Sequence, residues 1–183
     1  MTPAAAEDGW VAGARRVLSP NCDSRPGGVE VTLLVLHSIS LPPGEYGGDA
    51  IERLFTNRLD PAKHVSFSGL AGLRVSSHFL VRRDGALIQF VPLQSRAWHA
   101  GVSNWRGRER CNDYSIGVEL EGTEESAFAD EQYARLARLA RALKDLLPIR
   151  DIAGHSDIAP GRKADPGTRF DWPRFLTGLA RAT

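Results

Sequence analysis

Five histidines, His37, His64, His78, His99 and His155, and two glutamates two residues apart, Glu119 and Glu121, are the side chains of this sequence best suited to proton transfer or metal binding near neutral pH. Their surroundings separate them. His37 follows the apolar run Val31 to Leu36, and His155 follows Ile152-Ala153-Gly154, so both imidazoles are expected at the ends of strands, where loops converge. Asp165 lies ten residues past His155 in a loop stiffened by Pro160 and Pro166. Two imidazoles and one carboxylate with a fourth position open make a workable catalytic zinc set, although the spacings HEXXH, HXXEH and CxxC are all absent. Glu119 and Glu121 read either as the solvent-facing half of an edge strand or as the source of a base that takes a proton from metal-activated water, with Gly117 leaving room for a substrate. Lys163 reads either as a solvated loop lysine or as a positive charge for a developing oxyanion. Trp98, His99, Arg106, Arg108 and Arg110 combine apolar faces with fixed positive charge, which suits an amphipathic, carboxylate-bearing ligand such as a glycopeptide or, equally, a surface loop pinned by Trp98. His64 and His78 are expected in a surface loop and a hairpin strand, without chemical roles.

The elements that must position these residues follow from periodicity. Val31 to Leu36 predicts a strand buried on both faces and ending at His37, and Leu41 to Gly48, rich in proline and glycine, predicts a loop beside it that walls a site. Asp49 is expected to cap a helix with Ile51, Leu54, Phe55 and Leu59 inward. Asp84-Gly85 between Ser77–Arg83 and Ala86–Val91 predicts a hairpin with a two-residue turn. Trp98 to Arg110 predicts a long ordered loop, and Ser115 to Glu121 a strand with Ile116, Val118 and Leu120 on one face and Gly117, Glu119 and Glu121 on the other. Asp130 to Leu147 carries helical spacing up to Pro148, and Asp171 is expected to cap a last helix with Trp172, Phe175, Leu176 and Leu179 inward. Strands mixed with helices around one hairpin point to an α/β fold, a mixed central sheet flanked by helices.

Composition limits the alternatives. With 183 residues, 42% hydrophobic and 25% charged, and no break in composition, a single domain spanning 1–183 is expected. The formal charge of +1 leaves little footprint for nucleic acid or an anionic membrane, and no apolar run approaches the ~20 residues of a membrane span. Met1 to Asp8 lacks the pattern of an export signal, and Cys22 and Cys111 are too few for a disulfide framework, so a cytoplasmic protein with free thiols is expected.

Longer motifs add a resemblance. Leu34-Val35-Leu36-His37, Ile39 to Gly44, Arg96 to Ser103, Gly107 to Asp113, Ser115 to Thr123, Gly154-His155, Ile158-Ala159-Pro160, Arg162 to Gly167 and Phe170-Asp171-Trp172 closely resemble the AmpD-type N-acetylmuramoyl-L-alanine amidases, over about Gly9 to Phe175. The resemblance implies the mixed sheet shared with peptidoglycan recognition proteins, one Zn²⁺ held by His37, His155 and Asp165, Glu119 rather than Glu121 as the base, and Lys163 as oxyanion stabiliser. It implies hydrolysis of the amide between anhydro-N-acetylmuramic acid and L-alanine in cytoplasmic muropeptides, by a monomer, with Ser38, Arg74, Trp98, His99, Arg110 and Asn112 contacting substrate. Ser38 stands where a member of that family carries Asn, and the shorter serine side chain is expected to lose a substrate hydrogen bond or pass it to water. Two other activities of such a fold are an amidase acting on intact peptidoglycan and a peptidoglycan-binding module without catalysis; the complete set of five candidate residues speaks against the second.

Overall fold

The computed structural model describes residues 7–181, so the first six residues of the stretch read for an export signal lie outside the described residues. In chain order the strands are β1 (Arg15–Arg16), β2 (Cys22–Ser24), β3 (Leu33–Ile39), β4 (Phe79–Val81), β5 (Leu87–Gln89), β6 (Ser95–Ala97), β7 (Asn104–Trp105), β8 (Arg108–Glu109), β9 (Ser115–Glu121) and β10 (Asp151–Gly154). The α-helices are α1 (Ala50–Phe55), α2 (Asp130–Leu146), α3 (His155–Ile158) and α4 (Trp172–Arg181). Six strands form the central sheet in the order β1-β5-β4-β9-β3-β10. β4, β9, β3 and β10 run parallel, and β5 is antiparallel to β4, so the sheet is mixed.

β9 is central rather than an edge strand, and all seven of its residues are buried. The alternation of the sequence holds, but both faces are covered. Ile116, Val118 and Leu120 join Leu34, Leu36 and the α2 residues Leu136, Leu139 and Leu143 in the largest core cluster. The other face is covered by α1, whose Ile51, Leu54 and Phe55 pack on Leu80 and Ile88, and by Tyr114, Cys111 and Ile158 around Leu33 and Val35. Gln132 in the first turn of α2 accepts from Ala129 N and donates to the carbonyls of Val81 and Glu121, which fixes the helix start against the ends of β4 and β9.

Several local expectations are corrected. β3 runs two residues past His37, because Ser38 and Ile39 still pair with Leu120 and Glu121 of β9. Asp49 precedes α1 without a side-chain cap, its carboxylate being drawn instead to Arg53 Nε at 2.7 Å, and Leu59 lies beyond the six-residue helix. The β4–β5 turn is longer than two residues. Only Gly85 has positive φ, Gly85 N donates to Arg82 O and Arg82 N to Ala86 O, the pattern of a three-residue loop with the glycine as bulge. The segment Trp98–Arg110 contains a hairpin, β7 with β8, because Arg106 and Gly107 both adopt positive φ and turn the chain. Asp171 does cap α4, its Oδ1 accepting from Arg174 N at 2.9 Å, but Leu176 is exposed, since the helix packs by the stripe through Trp172, Phe175 and Leu179 and Leu176 falls at its margin.

Candidate active site

The parallel register places His37 of β3 directly beside Glu119 of β9, so the two side chains share one sheet face near the carboxyl ends of the strands. β10 pairs with β3 up to Gly154 opposite Leu36, and the chain then turns into α3, whose first residue is His155. Gly154 is required there: a Cβ would meet Pro166 Cδ at 2.9 Å. The loop after α3 returns along it, Ser156 N donating to Asp165 O, and brings the Asp165 carboxylate between the two imidazoles.

The result is a compact donor set. His37 Nδ1 and His155 Nδ1 are 3.0 Å apart, and Asp165 Oδ2 lies 3.0 Å from the first and 3.1 Å from the second. All three residues are buried, and they form a group able to hold a metal ion. Burial lowers the His37 imidazole to about 4, so it is neutral and its lone pair is available. Burial alone would raise Asp165, but the two close imidazoles of His155 and His37 outweigh it and hold the carboxylate well below its usual range. Three lone-pair donors this close together repel one another unless a cation or a proton sits among them, which is the condition a metal ion meets.

Glu119 is the second feature of the site. Its Oε2 is buried and has no hydrogen-bond partner among the described residues. Burial, followed by the nearby Asp165 charge, pushes this carboxyl well above the usual carboxylate range, against a smaller opposite pull from Lys163. A carboxyl raised in this way and left unpaired is suited to accept and return a proton. Glu121, on the same face two residues on, is spent on structure: Oε1 accepts from Arg82 at 2.7 Å and from Gly47 N at 2.8 Å, and Oε2 from Arg83 N.

The trio and Glu119 open into a cleft of about 270 Å³ whose walls include Ser38, Trp98, His99 and the exposed Lys163. Arg74 is exposed and outside the residues lining this cleft, although Leu73 and Val75 on either side line it. Arg110 is exposed and lines a neighbouring hollow of about 530 Å³ together with Gly101, Val102 and Arg162. The Asn112 carboxamide oxygen accepts from the amides of His99 and Ala100 and so holds the loop that carries both. The loop Leu41–Gly48 meets Glu121 and lines a different hollow, through Tyr46, Gly47 and Gly48. Gly117 leaves no space for a substrate: a Cβ there would meet the His99 ring at 2.6 Å, so the gap belongs to that imidazole. Sequence reasoning passed over Arg162, which donates to the carbonyls of Ala100 and Val102, and Ser115, which meets His99; nothing in their spacing marks either one.

A mixed sheet that brings to its strand ends a His-His-Asp group able to hold a metal ion, with a buried, unpaired carboxylate beside it, defines a hydrolase class of site. The family described as N-acetylmuramoyl-L-alanine amidase matches residues 27–168, and the chain belongs to it. It is similar to 1,6-anhydro-N-acetylmuramyl-L-alanine amidase AmpD of Escherichia coli (strain K12), at 56% identity over 97% of this chain and 98% of the relative. A crystal structure of a selenomethionine derivative of AmpD superposes with a TM-score of 0.92, at 55% identity over 94% of this chain and 98% of that one. The amidase AmiD of E. coli, in complex with the substrate anhydro-N-acetylmuramic acid-L-Ala-D-gamma-Glu-L-Lys, superposes with a TM-score of 0.59, at 31% identity over 84% of this chain and 60% of that one.

Proposed function

We propose that the chain is a zinc-dependent amidase that hydrolyses the amide joining anhydro-N-acetylmuramic acid to the L-alanine of a stem peptide. The observation that carries this reading is the buried trio His37, His155 and Asp165 with the unpaired Glu119 carboxylate beside it, in a chain 56% identical to an enzyme of that name. His37, His155 and Asp165 would hold one Zn²⁺, which when bound supplies Lewis acidity toward the substrate carbonyl and toward water. Glu119 takes a proton from the attacking water as its oxygen bonds to the amide carbon. It returns that proton to the alanine nitrogen as the carbon–nitrogen bond breaks. Lys163, exposed at the rim of the cleft, offers its ammonium to the oxyanion that forms in between. Trp98 supplies an apolar wall for the sugar, and Ser38 and His99 border the same cleft; the exposed guanidinium groups of Arg74, beside that cleft, and Arg110, at the neighbouring hollow, are left for carboxylates of the stem peptide. Asn112 contributes by holding the His99–Ala100 backbone in place.

The chain acts as a single amidase domain and a monomer, a reading supported by a donor set assembled within one chain. Cytoplasmic location is supported by its two free thiols, Cys22 and Cys111, which suit a reducing compartment. Among the described residues no helix is long and apolar enough to cross a membrane. The test is mass spectrometry of zinc-loaded protein incubated with anhydromuramyl-tripeptide and, separately, with intact sacculi, each with and without chelator. Chelator-sensitive release of tripeptide from the soluble fragment, with little from sacculi, is the expected result. Efficient release from sacculi would make it a wall-degrading amidase instead, and no release from either by folded, zinc-containing protein would leave a binding module.

A further inference from the structure

His99 borders the cleft, yet both of its ring nitrogens are committed elsewhere: Nδ1 lies 2.9 Å from His37 Nε2, and Nε2 lies 3.1 Å from Ser115 Oγ. The directions of these two bonds follow from the donor set. His37 faces His155 and Asp165 with Nδ1, so the lone pair that serves a metal is on Nδ1 and the ring proton is on Nε2. That proton is then donated to His99 Nδ1. His99 in turn carries its proton on Nε2 and donates it to the Ser115 hydroxyl, which is fully buried at the start of β9. His155 has the corresponding arrangement in a simpler form, its Nε2 donating to the Ala100 carbonyl at 3.1 Å. A carbonyl can only accept, whereas an imidazole acts as acceptor here only while its tautomer is held.

We propose that His99 is a positioning residue for the metal centre, fixing the tautomer and ring orientation of His37, and that Ser115 fixes His99 in the same way; this rests on the reading of His37, His155 and Asp165 as zinc ligands. Gly117 completes the arrangement. The His99 ring occupies the space a Cβ would fill, 2.6 to 2.8 Å from that position, and stands edge-on to His37 with centroids 5.0 Å apart. Alternation along β9 therefore puts three different contributions on one sheet face: the hydroxyl at Ser115 that orients His99, the gap at Gly117 that admits its ring, and the carboxylate at Glu119. His99 thus acts through His37, and its effect is on metal affinity before it is on any substrate.

The experiment measures zinc affinity by competition with a chromophoric chelator for the full chain and for His99→Leu, His99→Asn and Ser115→Ala, alongside the melting temperature and the kcat and KM for anhydromuramyl-tripeptide. Outer groups of this kind change metal affinity 10- to 100-fold on removal. The expected result is a loss of that order in His99→Leu, recovery of most of it in His99→Asn, whose side-chain oxygen replaces the acceptor at the Nδ1 position, and a smaller loss in Ser115→Ala. Unchanged affinity in folded His99→Leu overturns the inference, as does a raised KM at unchanged affinity, which would make His99 a substrate contact only. Nitrogen-15 spectra of the unaltered zinc-loaded chain need no variant: protons on His37 Nε2 and His99 Nε2 support the assignment, and a proton on His99 Nδ1 overturns it. If the unaltered chain itself binds no zinc, the reading of the metal centre falls and the inference with it, whereas the other adverse outcomes leave that reading standing.

Discussion

Gly117→Ala is the smallest perturbation that reaches the candidate metal centre without touching one of its three donor residues. Gly117 does not require positive φ, so a methyl group brings no backbone strain of its own, and replacing a strand glycine is worth about 0.5–1 kcal/mol through the unfolded chain. The added Cβ, however, would stand 2.6 Å from His99 Cγ, 2.7 Å from Nδ1 and 2.8 Å from Cδ2. These are ring atoms of a residue bonded at both nitrogens, so the imidazole has to move by about 1 Å to reach ordinary contact. Overpacking of this kind costs roughly 1–3 kcal/mol, and the two hydrogen bonds of the ring add about 1 kcal/mol each when broken. The net expectation is a loss of about 2–4 kcal/mol, a melting temperature lower by roughly 4 to 16 °C for a chain of this size. Urea denaturation of the metal-free protein reads the stability, and chelator competition reads the zinc affinity, which should fall with it. In a His99→Ala background the same methyl group meets no ring, so the cost of Gly117→Ala should largely vanish there. An equal cost in both backgrounds, or none in the unaltered chain, would refute the reasoning.

Glu119→Gln keeps the shape of the side chain and removes its basicity; zinc content and melting temperature should stay close to those of the unaltered chain while kcat for the anhydromuramyl-tripeptide falls by at least 10²-fold, and retained turnover would remove Glu119 from the proton transfers. Arg82→Met should destabilise by about 3–5 kcal/mol, since it leaves the Glu121 carboxylate, 2% exposed and bonded to Arg82 at 2.7 Å, without its cation; a loss under about 1 kcal/mol in urea denaturation would show that the Gly47 and Arg83 amides suffice. His78 is lowered to about 3 by burial and by Arg25, so it is neutral in the fold while the unfolded chain takes up a proton below about 6.5. Stability is therefore fully present above about 6.5 and is lost as the pH falls toward about 3, by up to about 1.4 kcal/mol per unit, a slope that should flatten in His78→Asn; identical slopes in the two proteins would exclude His78 as the linked group.

The sequence by itself determined what depends on near neighbours along the chain. Alternation in Ser115–Glu121 set the strand and the shared face of Gly117, Glu119 and Glu121, helical spacing set α2 to within a residue, and an apolar run followed by a histidine marked β3 and His37. The mixed sheet with helices on it followed from the order of these elements, and the motifs at His37, Glu119, His155 and Asp165 marked out the family. Periodicity also had limits. It stopped β3 at His37, whereas backbone pairing to β9 carried it on to Ile39. It set Glu119 and Glu121 on one face without separating them. Only the tertiary structure decided that Glu121 meets Arg82 and two backbone amides while Glu119 stands unpaired beside the trio, because the partners come from segments 38 to 74 residues away. Only packing brought His37 within 3.0 Å of His155 across 118 positions of sequence, and only packing turned Gly117 from open space into the seat of the His99 ring. The physical reason is one of range: propensity and periodicity act over a few residues and fix which way a side chain points, while the groups it meets there, and hence its protonation, are set by chain segments that approach only when the core closes.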